Sequence, residues 1–89
     1  QGNAKAQNNL GVIYENGQGV PQNYQTAAEW YQKAANQGLA SAQNNLGVMY
    51  ATGKGVVRNE ALAIEWYKRA AVQGEQNAIN NLKTRGIYV

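Results

Sequence analysis

Cysteine, histidine, aspartate and phenylalanine do not occur in these 89 residues. The first absence excludes a disulfide framework, a thiolate metal site and a cysteine nucleophile. The next two remove the commonest metal ligand, the commonest general base and the usual partners of a catalytic serine. No cofactor and no metal is therefore expected. Proline and methionine occur once each. No run of about 18 apolar residues exists, so no helical membrane span is expected. Acids are also few: five carboxylates face eight basic side chains, for a formal charge of +3. The basic residues are scattered, which describes a solvated surface better than a binding stripe. A single domain of this size buries only about 60–65% of its unfolded surface. Stacked repeats ease that limit, because each unit covers its neighbour.

What is present is a duplication. Trp30-Tyr31 returns as Trp66-Tyr67, a step of 36 residues (66 − 30). At the same step Leu10-Gly11 returns as Leu46-Gly47, Tyr14 as Tyr50, and Gly17-x-Gly19-Val20 as Gly53-x-Gly55-Val56. Residues 2–37 and 38–73 agree at 21 of 36 positions by direct count. Self-similarity at a period of about 20 to 50 residues marks a stacked array. A third copy opens at 74–89 with Ala78, Asn80, Asn81 and Leu82. It then departs, with Lys83 where the first two copies have Gly11 and Gly47.

Each copy has the spacing of a helical hairpin. Ala6, Leu10, Ile13, Tyr14 and Gly17 follow a 3.6-residue period. Asn3 stands where an N-cap is wanted and Gly17 where a left-handed cap is wanted. After the turn, Asn23 opens a second helix whose apolar stripe is Tyr24, Ala27, Ala28, Tyr31, Ala34 and Ala35, with Trp30 at its flank. Small alanines let two helices approach closely, and the aromatic rings fill the remaining space. Glu29 and Lys33 are spaced for an i,i+4 ion pair. Asn59 caps the fourth helix in the same way. The reading is all-α: five helices in about two and a half 36-residue repeats, an α/α solenoid in one domain spanning 1–89.

The pattern A-x-x-x-L-G-x-x-Y, G-x-G-V, A-x-E-W-Y-x-K/R-A-A-x-x-G resembles the Sel1-like repeat family of the tetratricopeptide-like superfamily. Tetratricopeptide repeats themselves step by about 34 residues. The resemblance implies a superhelical scaffold that binds proteins or peptides, often as an adaptor, and implies no catalysis. It also implies that the first helix of each pair lines a concave wall. Some bacterial members staple each repeat with a cysteine pair, which this chain lacks.

On that reading the partner-binding residues are Lys5, Asn8, Val12 and Glu15, with Asn44, Val48, Ala51 and Asn80 beyond them. Asn8, Asn44 and Asn80 are expected to form a ladder of amides for a peptide backbone, beside exposed Val12 and Val48. The partner is a protein or peptide. Glycines Gly17-x-Gly19 and Gly53-Lys54-Gly55 follow helices rather than strands, so they read as turns and not as a phosphate cradle. An alternative is an anionic or nucleic-acid partner on Lys54, Arg58, Lys68, Arg69, Lys83 and Arg85, whose binding would fall steeply with salt. A further one is a structural repeat unit with no ligand. The unfinished third copy is expected to leave an apolar helix face open to end-to-end self-association. Localisation cannot be read from the termini; a forced choice would be bacterial periplasm or secretion.

Overall fold

The computed structural model describes residues 2–88, and among them every regular element is a helix. Helices α1 (Ala4–Asn16), α2 (Tyr24–Asn36), α3 (Ala40–Thr52), α4 (Glu60–Ala71) and α5 (Gln76–Lys83) follow one another in chain order. Asparagine starts three of them. The Oδ1 atoms of Asn3, Asn23 and Asn59 accept from the backbone N–H of Ala6, Thr26 and Leu62 at 3.0, 3.0 and 3.1 Å. Each bond satisfies one amide that a helix N-terminus otherwise leaves without a partner. Gly17 and Gly53 end α1 and α3 in the left-handed region, at φ 69° and 72°. The chain then doubles back, with Asn23 N–H donating to Tyr14 O and Asn59 N–H to Tyr50 O, both at 2.9 Å. The glycine pairs are thus hairpin turns, as their spacing predicts.

Successive helices pack in order, α1 on α2, α2 on α3, α3 on α4 and α4 on α5. Within the first hairpin, Gln37 Nε2 donates to Gln7 Oε1 at 2.7 Å, while the turn at the other end brings Asn23 to Tyr14. The two helices therefore run antiparallel. The alanine stripe sits at the centre of the core. Ala27, Ala28, Tyr31, Ala34 and Ala35 of α2 meet Ala42, Leu46 and Met49 of α3 and Trp66 of α4, all at most 8% exposed. A second cluster repeats the scheme, with Ala63, Tyr67, Ala70 and Ala71 of α4 against Ala78 and Leu82 of α5.

The paired aromatic positions are not equivalent in burial. Trp66 is 8% exposed inside the first cluster, whereas Trp30 is half-buried. The Lys33 ammonium lies 4.4 Å above the Trp30 ring, so the ion pair expected between Glu29 and Lys33 does not form. A face-on cation is worth about 0.5–1 kcal/mol at such an exposed site, comparable to a surface ion pair. Helix α5 is shorter than α1 and α3, eight residues against thirteen. It turns at Gly86, and Ile87 folds back onto the second cluster. Ala78 and Leu82 of α5 cover α4 on that side.

Candidate binding face

Residues on α1 at i, i+4, i+7 and i+11 share one strip of the helix, and from Lys5 these are Asn9, Val12 and Asn16. The 36-residue step gives Ser41, Asn45, Val48 and Thr52 on α3, then Asn77, Asn81 and Thr84 at the end of the chain. Lys5, Asn9, Asn16, Thr52, Asn77 and Thr84 are exposed, while Val12, Ser41, Asn45, Val48 and Asn81 are half-buried.

The expected amide ladder stands one residue away from where the sequence places it. Asn44 is 7% exposed, and its Oδ1 accepts from Asn81 Nδ2 at 3.0 Å. Asn8, half-buried, accepts in the same way from Asn45 Nδ2 at 3.1 Å. Asn8 and Asn44 therefore act as struts between neighbouring first helices, and the amides they hold, Asn45 and Asn81, are half-buried. Asn80 is exposed and accepts from Gln76 Nε2 at 3.0 Å. Val12 and Val48, expected to be exposed, rest against the two core clusters with part of their surface outside. Ala51 packs against the second cluster. Glu15, half-buried, accepts the Tyr31 hydroxyl at 2.5 Å and so closes its own hairpin. Of the eight expected residues, Lys5 and Asn80 alone are exposed.

Position by position, the sequence repeat shows which residues are equivalent, but not which of two adjacent asparagines serves as the strut. That choice depends on the lateral distance between α1 and α3. The strut uses one Nδ2 proton of Asn45 and of Asn81, and among the described residues their Oδ1 atoms make no bond. Such an oxygen accepts two hydrogen bonds when offered donors.

Electrostatics elsewhere are largely internal. Burial, reinforced by the Glu15 carboxylate, holds the Tyr31 hydroxyl in its neutral form far above the usual phenol range. Burial also raises Tyr67, with the Arg85 charge working against it. Arg85 Nε donates to the Glu60 carboxylate, which pulls Glu60 below the usual carboxylate range and raises the guanidinium. Lys54, Arg69 and Arg85 lie over the rings of Tyr24, Trp66 and Tyr67, at 5.3, 4.6 and 5.1 Å. Arg58 Nε donates to Ala51 O at 3.2 Å, so four of the six cations expected to form a basic surface are engaged within the fold.

A feature that sequence reasoning missed is a groove of about 400 Å³ between α2 and the turn that follows α3. Ala28, Leu46 and Val56 give it an apolar lining, and Gln25, Glu29 and Gln32 a polar rim. Its walls come from two different repeats, so no local motif announces it.

A stack of antiparallel helix pairs with alanine cores defines the class: an α/α repeat solenoid. The Sel1 repeat pattern matches residues 4–39 and 40–75. The chain belongs to the Sel1 repeat family. It is similar to a Sel1 repeat protein of Oxalobacter formigenes at 43% identity and TM-score 0.92, over 98% of this chain and 37% of that one. It is also similar to c5321, a protective antigen of uropathogenic Escherichia coli with an SLR fold. There the identity is 41% and the TM-score 0.87, over 96% of this chain and 19% of that one. Helicobacter pylori cysteine rich protein B matches at 33% identity and TM-score 0.84, over 89% of this chain and 59% of that one. The chain thus spans less than two thirds of each of these proteins. No curated protein sequence matches it. Sel1 repeats form a non-catalytic scaffold fold and generally mediate protein–protein interaction. Among the described residues, no helix is long and apolar enough to cross a membrane.

Proposed function

We propose that this domain is a non-catalytic adaptor that holds an extended peptide segment of a partner protein across α1, α3 and α5. The observation that carries this reading is the pair of held amides. Asn45 and Asn81 stand 36 residues apart, each fixed by a strut to the preceding repeat and each with an unused Oδ1. Fixing the amide in advance lowers the ordering cost of binding. Backbone N–H groups of the peptide donate to these oxygens, and its apolar side chains rest on the outer edges of Val12 and Val48. Lys5 and Asn80 flank the path. The bacterial relatives support a bacterial source.

Aspartate at Val12 and Val48 would be a poor test, because both valines also touch the core. Tryptophan at Ser41 and Thr52 blocks the strip without entering either cluster. A photo-crosslinking amino acid at either position should capture the partner, and one at Glu65, exposed elsewhere on α4, should not. Ser41→Trp with Thr52→Trp should abolish binding while helicity is retained. Unchanged affinity in that variant, or crosslinking confined to Glu65, rejects the assignment.

A further inference from the structure

The groove between α2 and the turn after α3 has the parts of a site for one kind of side chain. Gln25, Glu29 and Gln32 stand at i, i+4 and i+7, so all three lie on one strip of α2 and edge the groove together. Beneath them Ala28, Leu46 and Val56 form an apolar floor. Backbone contact fixes the end at the start of α2. A Cβ on Gly55 would lie 2.3 Å from Tyr24 O, so this turn is pressed against α2 where only glycine fits. The groove is formed before anything enters it, which lowers the ordering cost of binding.

Its rim has few partners of its own. Among the described residues the Glu29 carboxylate makes no hydrogen bond and no ion pair, and the Gln25 amide makes none either. Gln32 gives one Nε2 proton to Asn36 Oδ1 at 2.9 Å, which leaves its own Oε1 free. Lys33 is the one cation of the lining, and its ammonium lies over the Trp30 ring. The groove therefore offers a carboxylate and two amide oxygens above an apolar floor.

The next repeat shows what opens it. The same strip of α4 reads Ala61, Ile64, Glu65 and Lys68. The carboxylate is retained, and Arg69 covers Trp66 as Lys33 covers Trp30. Ile64, however, stands where Ala28 stands and packs against the second cluster, which includes Leu82. Lys68 stands where Gln32 stands. A small residue at 28 makes the space, and an uncharged one at 32 leaves the charge of Glu29 unopposed.

We infer that this groove is a docking site for an arginine side chain of a partner protein. An apolar stem that ends in a cation matches an apolar floor edged by a carboxylate. A guanidinium suits the rim better than an ammonium, because its planar fork reaches Glu29 and the Gln32 oxygen one turn away at the same time. The site lies on α2, apart from the strip across α1, α3 and α5, so either reading fails without the other.

The test titrates N-acetyl-arginine methylamide into the isotopically labelled chain. Amide signals of Glu29 and Val56 should shift saturably, with half-saturation at about 1 mM, the range open to a ligand of this size. The citrulline analogue, similar in shape but uncharged, should bind at least about tenfold more weakly. The Glu65 amide should respond to neither, which separates a built site from the attraction of any cation to an exposed carboxylate. Glu29→Gln, a change on an exposed helix face, should weaken arginine binding about five- to tenfold. Ala28→Ile should abolish it by filling the floor while helicity is retained. Absence of saturable shifts up to about 20 mM, equal binding of citrulline, equal shifts at Glu65, or full affinity in Glu29→Gln each overturns the inference. Should Ala28→Ile disturb the fold, Glu29→Gln still decides the outcome.

Discussion

Gly47 lies directly under the ring of Tyr67: a Cβ on it would stand 2.7 Å from Cε1 and 2.8 Å from Cδ1. Gly11 has the same relation to Tyr31, at 2.5 Å from both ring carbons. Each hairpin therefore closes on a glycine and a tyrosine that share one volume. Helix propensity favours alanine over glycine by about 1 kcal/mol, but overpacking a tight core costs about 1–3 kcal/mol. The ring is 1% exposed, and the carbonyl of Ala63 would sit 3.2 Å from the new methyl on the same side. Packing wins. Gly47→Ala should lower stability by up to about 2 kcal/mol in urea denaturation. In a Tyr67→Ala background the same change should become neutral or favourable, and a penalty that persists there would refute the steric account.

The struts between repeats make a separate prediction. Asn81→Ala and Asn44→Ala each remove one partner of a single bond, so each should cost about 1 kcal/mol. The double variant should cost less than the sum, with a coupling of about 0.5–1.5 kcal/mol in the cycle. Asn9→Ala, which breaks no strut, should leave the denaturant midpoint unchanged. Strict additivity at Asn44 and Asn81 would remove the strut from the account.

These residues also show what the sequence makes legible. The caps at Asn3, Asn23 and Asn59 are local, and so are the left-handed turns at Gly17 and Gly53; each is set by a few neighbouring residues. The burial of Tyr31 and Tyr67 follows from the alanine period. The orientation of Asn8 against Asn9 does not, because it depends on how far apart α1 and α3 stand. Trp30 and Trp66 occupy one sequence context and two environments, since burial there belongs to the adjacent repeat. Position in the array decides what repetition alone cannot.

Alkaline pH should expose the buried phenols. Tyr31 is raised by burial and by Glu15, and Tyr67 by burial. A raised folded value means that the unfolded chain loses these protons first. The stabilisation is complete below the unfolded tyrosine value of about 10 and falls as pH climbs above it. Stability should therefore decline from about pH 10 upward, and the share of the tyrosinate absorbance due to Tyr31 and Tyr67 should appear together with loss of helicity. Tyr31→Phe should flatten part of that decline. If the full tyrosine signal appears while the helices remain intact, the phenols are not shielded.

Arg85 holds the last helix in place. Its Nε donates to Glu60 at the start of α4, its Nη1 donates to Asn81 O at 2.9 Å, and its guanidinium faces the Tyr67 ring. Helix α5 has eight residues, well below the roughly 12–15 at which an isolated helix becomes marginally stable. It therefore relies on Ala78, Leu82 and this tether. Glu60 has its carboxyl lowered chiefly by the hydrogen bond from Arg85. A lowered carboxyl stabilises the fold above its unfolded value of about 4.3, and the effect fades as pH falls through the lower folded value. Because both side chains keep part of their surface in solvent, at 25 and 40% exposed, the effect on global stability at neutral pH should be small. The clearer readout is local. Arg85→Ala and Glu60→Gln should both speed amide exchange at Ile79 and Leu82 at neutral pH, and the difference from the parent chain should shrink as the solution is acidified below about pH 4. If exchange in α5 is the same in all three proteins, the helix is held by its apolar contacts alone; if the Glu60→Gln difference persists unchanged into acid, the Glu60 carboxylate is not what holds it.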